Sequence, residues 1–306
     1  MKHYGVIDIG SNTIRLVIYK WEEPELTALL NKKESAGLAN YVDRDGGLSE
    51  AGICRAEQAL AEFREILEHV EVERTYVFAT ASLRNISNTD IVVERLRRSS
   101  GFDIQVISGE EEADYDFRGA LRATGLEDGL LVDVGGGSTE FVLFQHRVQC
   151  SAHSLRMGSL NLYTKYVSGI LPGKKELETL SARVDRALED CLRRERQAAP
   201  PADLCAVGGS ARAAAKLVGN LDPPLVASDG SFPVKALKKL LNLAVERRHT
   251  FTRMVLRTAP ERIHTIVPGL VILYRTAHWC GTRRVVTSPY GVREGYLLAR
   301  LEQVGQ

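Results

Sequence analysis

Three consecutive carboxylates, Glu110-Glu111-Glu112, are the residues of this 306-residue chain whose type and crowding most directly suggest chemistry. Acids at a helix N-terminus complement the helix dipole, and Ser108-Gly109-Glu110-Glu111 fits the S-x-x-E pattern of a capping box. A run of three exceeds what a cap requires. Crowded like charges favour proton uptake by one of the group, against the opposing pull of the helix end. A carboxylate ionised at neutral pH yet more basic than usual serves as a general base for water. Capping and base catalysis both stay open for this run on the residues alone.

Two aspartates form the next group. Asp8 and Asp133 each sit near the end of an apolar run, residues 4–9 and 130–134, where open α/β sheets place their ligands. Carboxylates there suit Mg²⁺, a hard ion that takes oxygen ligands. Each run continues into a small polar turn, Gly10-Ser11-Asn12-Thr13 in one case and Gly135-Gly136-Gly137-Ser138-Thr139 in the other. Backbone N–H groups in such a turn can converge on an anion as a nest. The pattern G-x-x-x-x-G-K-S/T occurs nowhere, and residues 140–144 read as a strand where a dinucleotide fingerprint needs a helix. A phosphate held by a hairpin turn is what is left, and two such turns could clamp a phosphate chain between domains.

The remaining composition excludes other classes. Forty Lys and Arg balance 39 Asp and Glu, so no global positive field exists to bind nucleic acid. No G-x-S-x-G, H-E-x-x-H or H-x-H occurs, and the seven histidines read as structural. Asp43-Arg44-Asp45 lies in a polar loop instead of at the end of an apolar strand, unlike a phosphate-accepting aspartate pair. Cys54, Cys150, Cys191, Cys205 and Cys280 are odd in number and widely spaced, as expected of reduced thiols. The chain shows no room for a signal peptide before its first strand and no run near the roughly 18 apolar residues of a membrane span. A soluble, cytoplasmic protein without membrane partners is expected.

These residues need a scaffold. Residues 4–9 and 14–19 read as strands, and residues 53, 56, 60, 63, 67 and 70 form the apolar stripe of a helix. A strand at 75–79, a helix at 90–98, a strand at 104–107 and a helix at 110–123 follow. The pattern then restarts at 130–134. A second echo pairs Phe78-Ala79-Thr80-Ala81-Ser82-Leu83-Arg84 with Ala206-Val207-Gly208-Gly209-Ser210-Ala211-Arg212 at nearly the same offset. Two echoes in one register indicate a duplication: α/β domains at 1–125 and 126–306, the last helix packing back on the first. Helices are expected at 160–166, 174–196, 211–217, 234–247, 269–280 and 292–301, with a solvated charged end at 193–196 and loops at 198–201 and 222–224.

Taken together, Asp8-Ile9-Gly10-Ser11-Asn12-Thr13, residues 79–84, residues 107–113 and Asp133 through Glu140 resemble the exopolyphosphatase/guanosine pentaphosphate phosphohydrolase (Ppx/GppA) family. Arg156-Met157-Gly158, Gly208-Gly209-Ser210 and Gly291-Val292-Arg293-Glu294-Gly295 add to the resemblance, which spans essentially the whole chain. It implies two duplicated ribonuclease-H-like domains around an interdomain cleft, as in actin, sugar kinases and heat-shock chaperone ATPases. It implies release of terminal phosphate from inorganic polyphosphate, or alternatively from pppGpp, by a Mg²⁺-dependent, homodimeric hydrolase. In this reading Glu112 is the base, Arg84 meets the terminal phosphate, and Asp8, Asp133 and Glu140 hold the metal. Ser11, Asn12, Thr13, Gly135, Gly136, Gly137, Ser138, Thr139, Gly208, Gly209 and Ser210 bind the phosphates. Arg262-Ile263-His264 departs from the family's Arg-Ala-Asp, which leaves that segment without an assigned role. The chain resembles a short-form member, expected to hold long polyphosphate less processively. A phosphotransferase or a non-catalytic alarmone sensor of the same fold are the rival classes.

Overall fold

The computed structural model describes residues 2–193 and 203–304. Arg194-Glu195-Arg196 and the proline-containing stretch at 198–201 lie outside the described residues. The chain divides into two units, one running to Glu112 and resuming at Tyr296, the other spanning Ala113–Gly295.

The first unit opens with an antiparallel meander, β1 (Lys2–Ile9), β2 (Ile14–Glu22) and β3 (Glu25–Glu34). Helix α1 (Glu50–Glu68) then carries the chain across the sheet, the crossover that a parallel neighbour requires, to β4 (Arg74–Ala79). The short α2 (Ala81–Arg84) and α3 (Thr89–Ser100) lead to β5 (Ile104–Val106), parallel to β4. The strand order is β3-β2-β1-β4-β5. Alternation along β1 sends Ile7 and Ile9 toward Ile53, Leu60 and Phe63 of α1 and Leu96 of α3. The opposite face carries Tyr76 and Phe78, and Phe78 stacks on Tyr296 at 4.7 Å between ring centroids.

Helix α4 (Gly109–Ala123) leads into β6 (Gly129–Val134), β7 (Thr139–Gln145) and β8 (Val148–Leu155), a second antiparallel meander. Helices α5 (Ser159–Tyr166) and α6 (Lys174–Leu192) precede β9 (Asp203–Val207), which is parallel to β6. Then come α7 (Gly208–Gly219), β10 (Phe232–Pro233), α8 (Lys235–Glu246), α9 (Arg248–Thr258) and α10 (Ile266–Cys280). The described chain closes with β11 (Arg284–Thr287), parallel to β9, and α11 (Val292–Val304). The order β10-β11-β9-β6-β7-β8 repeats that of the first sheet, with the two-residue β10 added at one edge. The duplication read from the two echoes is therefore a duplication of topology.

The second sheet has two different faces. Leu130, Val132 and Val134 of β6 point into the larger core, with Leu217, Leu240 and Leu270 from α7, α8 and α10. Leu131, Val142 and Phe144 pack instead against Ala113, Phe117 and Ala120 of α4. Strand alternation places Asp133 with Leu131, and Glu140 with Val142, on the α4 side. Strands β8 and β11 and helix α9 carry no clear sequence signal: β8 is a largely exposed edge, and α9 follows α8 with only Arg247 between them. No helix among the described residues is long and apolar enough to cross a membrane.

Candidate active site

The head of α4 sorts the three glutamates. The Ser108 N–H donates to Glu111 Oε2 at 2.7 Å, and the Glu111 N–H donates to Ser108 Oγ at 3.0 Å, so the capping box is formed by Glu111. Glu110 is exposed. Glu112 alone turns inward, 6% exposed, and Arg84 Nη1 donates to its Oε2 at 2.8 Å. Arg84 Nη1 also donates to the Ile107 carbonyl at 2.9 Å. Arg84 is aimed by α2, which follows directly from β4 and is anchored by buried Leu83 and by the Ser82 hydroxyl donating to the Ile9 carbonyl.

In the second unit, Asp133 and Glu140 stand directly opposite one another across β6 and β7. Asp116 of α4 joins them: one carboxylate oxygen from each of the three lies within 4.8 Å of the others. Asp116 and Glu140 are 0% exposed and Asp133 9%. The Ser154 hydroxyl donates to Glu140 Oε1 at 2.8 Å. Carboxylates gathered this closely out of water are a donor set that can hold a cation. All-oxygen donors with small residues beside them fit Mg²⁺. A Cβ built on Gly208 would lie 2.0 Å from Asp133 Oδ1, so only glycine leaves that carboxylate its place. Opposite Asp8, at the equivalent position of β1, stands Arg15. Asp116 was not singled out by its motif. Its available signal is a charge inside the apolar stripe of Ala113, Phe117 and Ala120, one helical turn after Glu112.

The two hairpin turns are built alike. The Gly10 N–H donates to the Thr13 carbonyl at 3.0 Å, and the Gly135 N–H donates to the Ser138 carbonyl at 3.1 Å. In the first turn the Ser11 and Asn12 carbonyls accept from Ala39 and Gly37 N–H groups. In the second, the Gly135 and Gly136 carbonyls accept from Ser159, Leu160 and Asn161 N–H groups at the start of α5, and the Gly137 carbonyl accepts from Asn161 Nδ2. A trans peptide points its N–H opposite to its C=O, so the N–H groups of Gly136, Gly137 and Ser138 face away from α5. Thr139 is held from behind by donating to the Met157 carbonyl. Gly158 allows this close approach, since a Cβ there would lie 2.1 Å from the Gly136 oxygen.

Gly208-Gly209-Ser210 opens α7, and Gly208 adopts φ +82°. Ser210 Oγ donates to the Val134 carbonyl, tying this helix start to β6. Arg262, which the sequence left without a role, lies against Gly209: a Cβ there would be 1.7 Å from its Nη2. Burial and then the nearby Arg212 pull the Arg262 guanidinium below its ordinary value, opposed by Glu261 and Asp133. It stays charged. Two guanidiniums at the N-terminus of a helix make a strong anion site. Two residues on, the exposed His264 ring packs on Tyr163 at 5.1 Å.

A twice-used ribonuclease-H-like sheet, strand-end carboxylates and glycine turns with outward N–H groups define a protein that works on phosphoryl groups. The chain belongs to the Ppx/GppA phosphatase family, whose profile it matches over residues 17–304, and is thus a phosphate-releasing hydrolase. Exopolyphosphatase 1 of Mycobacterium leprae is 26% identical over 307 residues, covering 97% of this chain and 89% of that protein. The crystal structure of the Aquifex aeolicus Ppx/GppA family member superposes with a TM-score of 0.80 at 25% identity, covering 100% of this chain and 99% of that one. An exopolyphosphatase from Cytophaga hutchinsonii shares the fold with a TM-score of 0.86 at 24% identity, covering 99% and 98% of the two chains.

Proposed function

We propose that this chain is an exopolyphosphatase that hydrolyses the terminal phosphoanhydride bond of inorganic polyphosphate, with Glu112 as general base. The observation that carries this reading is the division of labour at the head of α4. Glu111 makes the cap, which leaves the buried Glu112 beside Arg84 without a capping duty. Water attacks the terminal phosphorus while Glu112 accepts its proton. The bond to the bridging oxygen breaks, and the shortened chain leaves with the electron pair on that oxygen. Such transition states are loose, so positioning and charge neutralisation supply most of the rate.

Arg84 is assigned to the terminal phosphate. The N–H groups of the Gly135–Ser138 turn and of Asn12 and Thr13, together with the Gly208-Gly209-Ser210 helix start, are assigned to the following ones. Arg262 joins this last group on the strength of its place against Gly209. Asp133 and Glu140 would hold Mg²⁺, which supplies charge neutralisation to the phosphates. A second reading, 5′-phosphate release from pppGpp, is favoured by one feature: the exposed His264 ring, packed at a tilt on Tyr163 two residues from Arg262, offers a ring face on which a guanine base can stack.

The test is phosphate release from polyphosphate and from pppGpp, each with Mg²⁺ and with EDTA. Release from polyphosphate alone, abolished by EDTA, is expected. Turnover that survives complete chelation removes the metal from the reading, and preference for pppGpp installs the second one.

A further inference from the structure

The near balance of basic and acidic residues over the whole chain conceals a local excess. Residues 235–262 carry eight Lys or Arg against two Asp or Glu, which leaves the rest of the chain net acidic. We propose that the exposed ridge of α9 is a track for a long polyanion, holding the part of an inorganic polyphosphate chain that lies beyond the phosphate subsites. This rests on the polyphosphate reading above and adds a binding surface to it.

Helix α9 contains three arginines and a histidine but no acid. Buried Phe251 and Val255 hold one side of it to the core. Four-residue spacing puts His249, Arg253 and Arg257 in line on the opposite side, all exposed, over about 12 Å at 1.5 Å per residue. Like charges at this spacing disfavour a helix, so Arg253 and Arg257 stand together against their own repulsion until an anion screens them. Among the described residues, neither has a hydrogen-bond or ion-pair partner for its guanidinium. On α3 and α4 the same spacing is used to neutralise arginines, Arg98 by Glu94 and Arg118 by Asp114.

The ridge runs into the proposed phosphate path. Arg257 is five residues from Arg262, which lies against Gly209, and the 3₁₀ turn Pro260–Arg262 joins them. That link is held compact: the Ala259 N–H donates to the Val255 carbonyl at 2.8 Å and the Arg262 N–H to the Ala259 carbonyl at 3.0 Å. At its other end α9 is anchored by Arg248 Nη2, which donates to the Leu171 carbonyl at 2.7 Å. Polyphosphate carries charge on every unit and no base or sugar to be read, which suits guanidiniums at a repeated spacing. A short substrate ends before the ridge and a long one reaches it, so the consequence is a preference for long chains.

The test compares tripolyphosphate with long-chain polyphosphate at fixed free Mg²⁺. It uses the wild type, Arg253→Gln/Arg257→Gln and a charge-matched control, Arg183→Gln/Arg186→Gln, whose exposed arginines lie on α6. In the ridge variant KM for the long chain should rise roughly 2- to 30-fold, as for two surface ion pairs lost, and should depend less on salt. Its kcat and its KM for tripolyphosphate should not change. Charge reversal, Arg253→Glu/Arg257→Glu, should raise the long-chain KM further. Binding is read without turnover as the gain in melting temperature on adding long polyphosphate, which should be smaller in the ridge variant. Without ligand that variant should melt no lower than wild type, because a repulsion is removed. An unchanged long-chain KM, an equal rise with tripolyphosphate, or an equal rise in the control overturns the track while leaving the function reading intact. A wild type that neither binds nor cleaves polyphosphate of either length overturns both. Single-stranded RNA that binds the wild type as tightly as polyphosphate, and loses affinity in the ridge variant, makes the ridge a nucleic-acid surface and overturns the assignment.

Discussion

Arg84 Nη1 lies 2.8 Å from Glu112 Oε2, so the side chain assigned to the terminal phosphate holds the one assigned to water. The pair is well shielded, with the two side chains 18% and 8% exposed. A polyanion arriving at Arg84 competes with Glu112 for the same guanidinium. Binding of substrate would thereby free a carboxylate oxygen to accept a proton, which couples activation of the base to occupancy of the site.

Replacing Glu112 by Gln keeps the shape and a partner for Arg84 but removes the proton acceptor. Turnover should fall by roughly 10²–10⁴ while polyphosphate still binds. Glu111→Ala should act differently, lowering stability by about 0.5–2 kcal/mol as a broken capping box with far less effect on turnover. Steady-state rates and urea melts on the two variants separate the roles; equal turnover losses would contradict the division between them.

Arg84→Lys retains charge but loses the planar guanidinium that serves Glu112 and the Ile107 carbonyl and, in the proposed reading, would also meet a phosphate. Losing one charge-assisted hydrogen bond costs about 1.5–3 kcal/mol, or roughly 10- to 150-fold in kcat/KM. Wild-type kcat/KM in this variant would remove Arg84 from substrate contact.

Two glycine substitutions should part company. In Gly209→Ala the new Cβ meets the end of the flexible Arg262 side chain, which can swing away, so the fold should survive while KM for polyphosphate rises. In Gly158→Ala the Cβ meets the Gly136 backbone, which cannot yield without moving the turn. Overpacking of that kind costs about 1–3 kcal/mol, readable as a lower Tm. An unchanged KM in Gly209→Ala would sever Arg262 from the phosphate path.

Thiol chemistry gives a check on the core. Cys54 and Cys150 are exposed and should react promptly with an alkylating reagent at pH 8, whereas Cys205 should not. Burial, and then the charges of Asp116 and Asp203, push the Cys205 thiol from its ordinary 9.0 up to about 12. Because the folded state holds this proton more tightly, the contribution is complete below about pH 9 and is lost as pH rises toward 12. Melting curves at pH 8–11 should therefore decline less steeply in Cys205→Ala than in wild type. Equal slopes would mean that the thiol ionises as readily folded as unfolded.

Much of this protein is legible in local sequence. The Ser108–Glu111 cap, the strand-turn-strand units around Asp8 and Asp133, and the duplication follow from short-range rules: alternation, capping and turn chemistry act between neighbours in the chain. The shared strand order could not be read that way, because pairing β1 with β4 or β6 with β9 depends on crossovers through helices. Strand β8 was silent since an exposed edge needs no apolar pattern. Glu110, Glu111 and Glu112 were visible as a group, but only the tertiary structure separates them, by burying one against an arginine 28 residues away. Asp116 and Arg262 were hidden for the same reason. A buried charge is recognised by what surrounds it, and Asp116 meets Asp133 and Glu140, as Arg262 meets Gly209, only after helices have been laid on a sheet whose order the chain's neighbours do not encode.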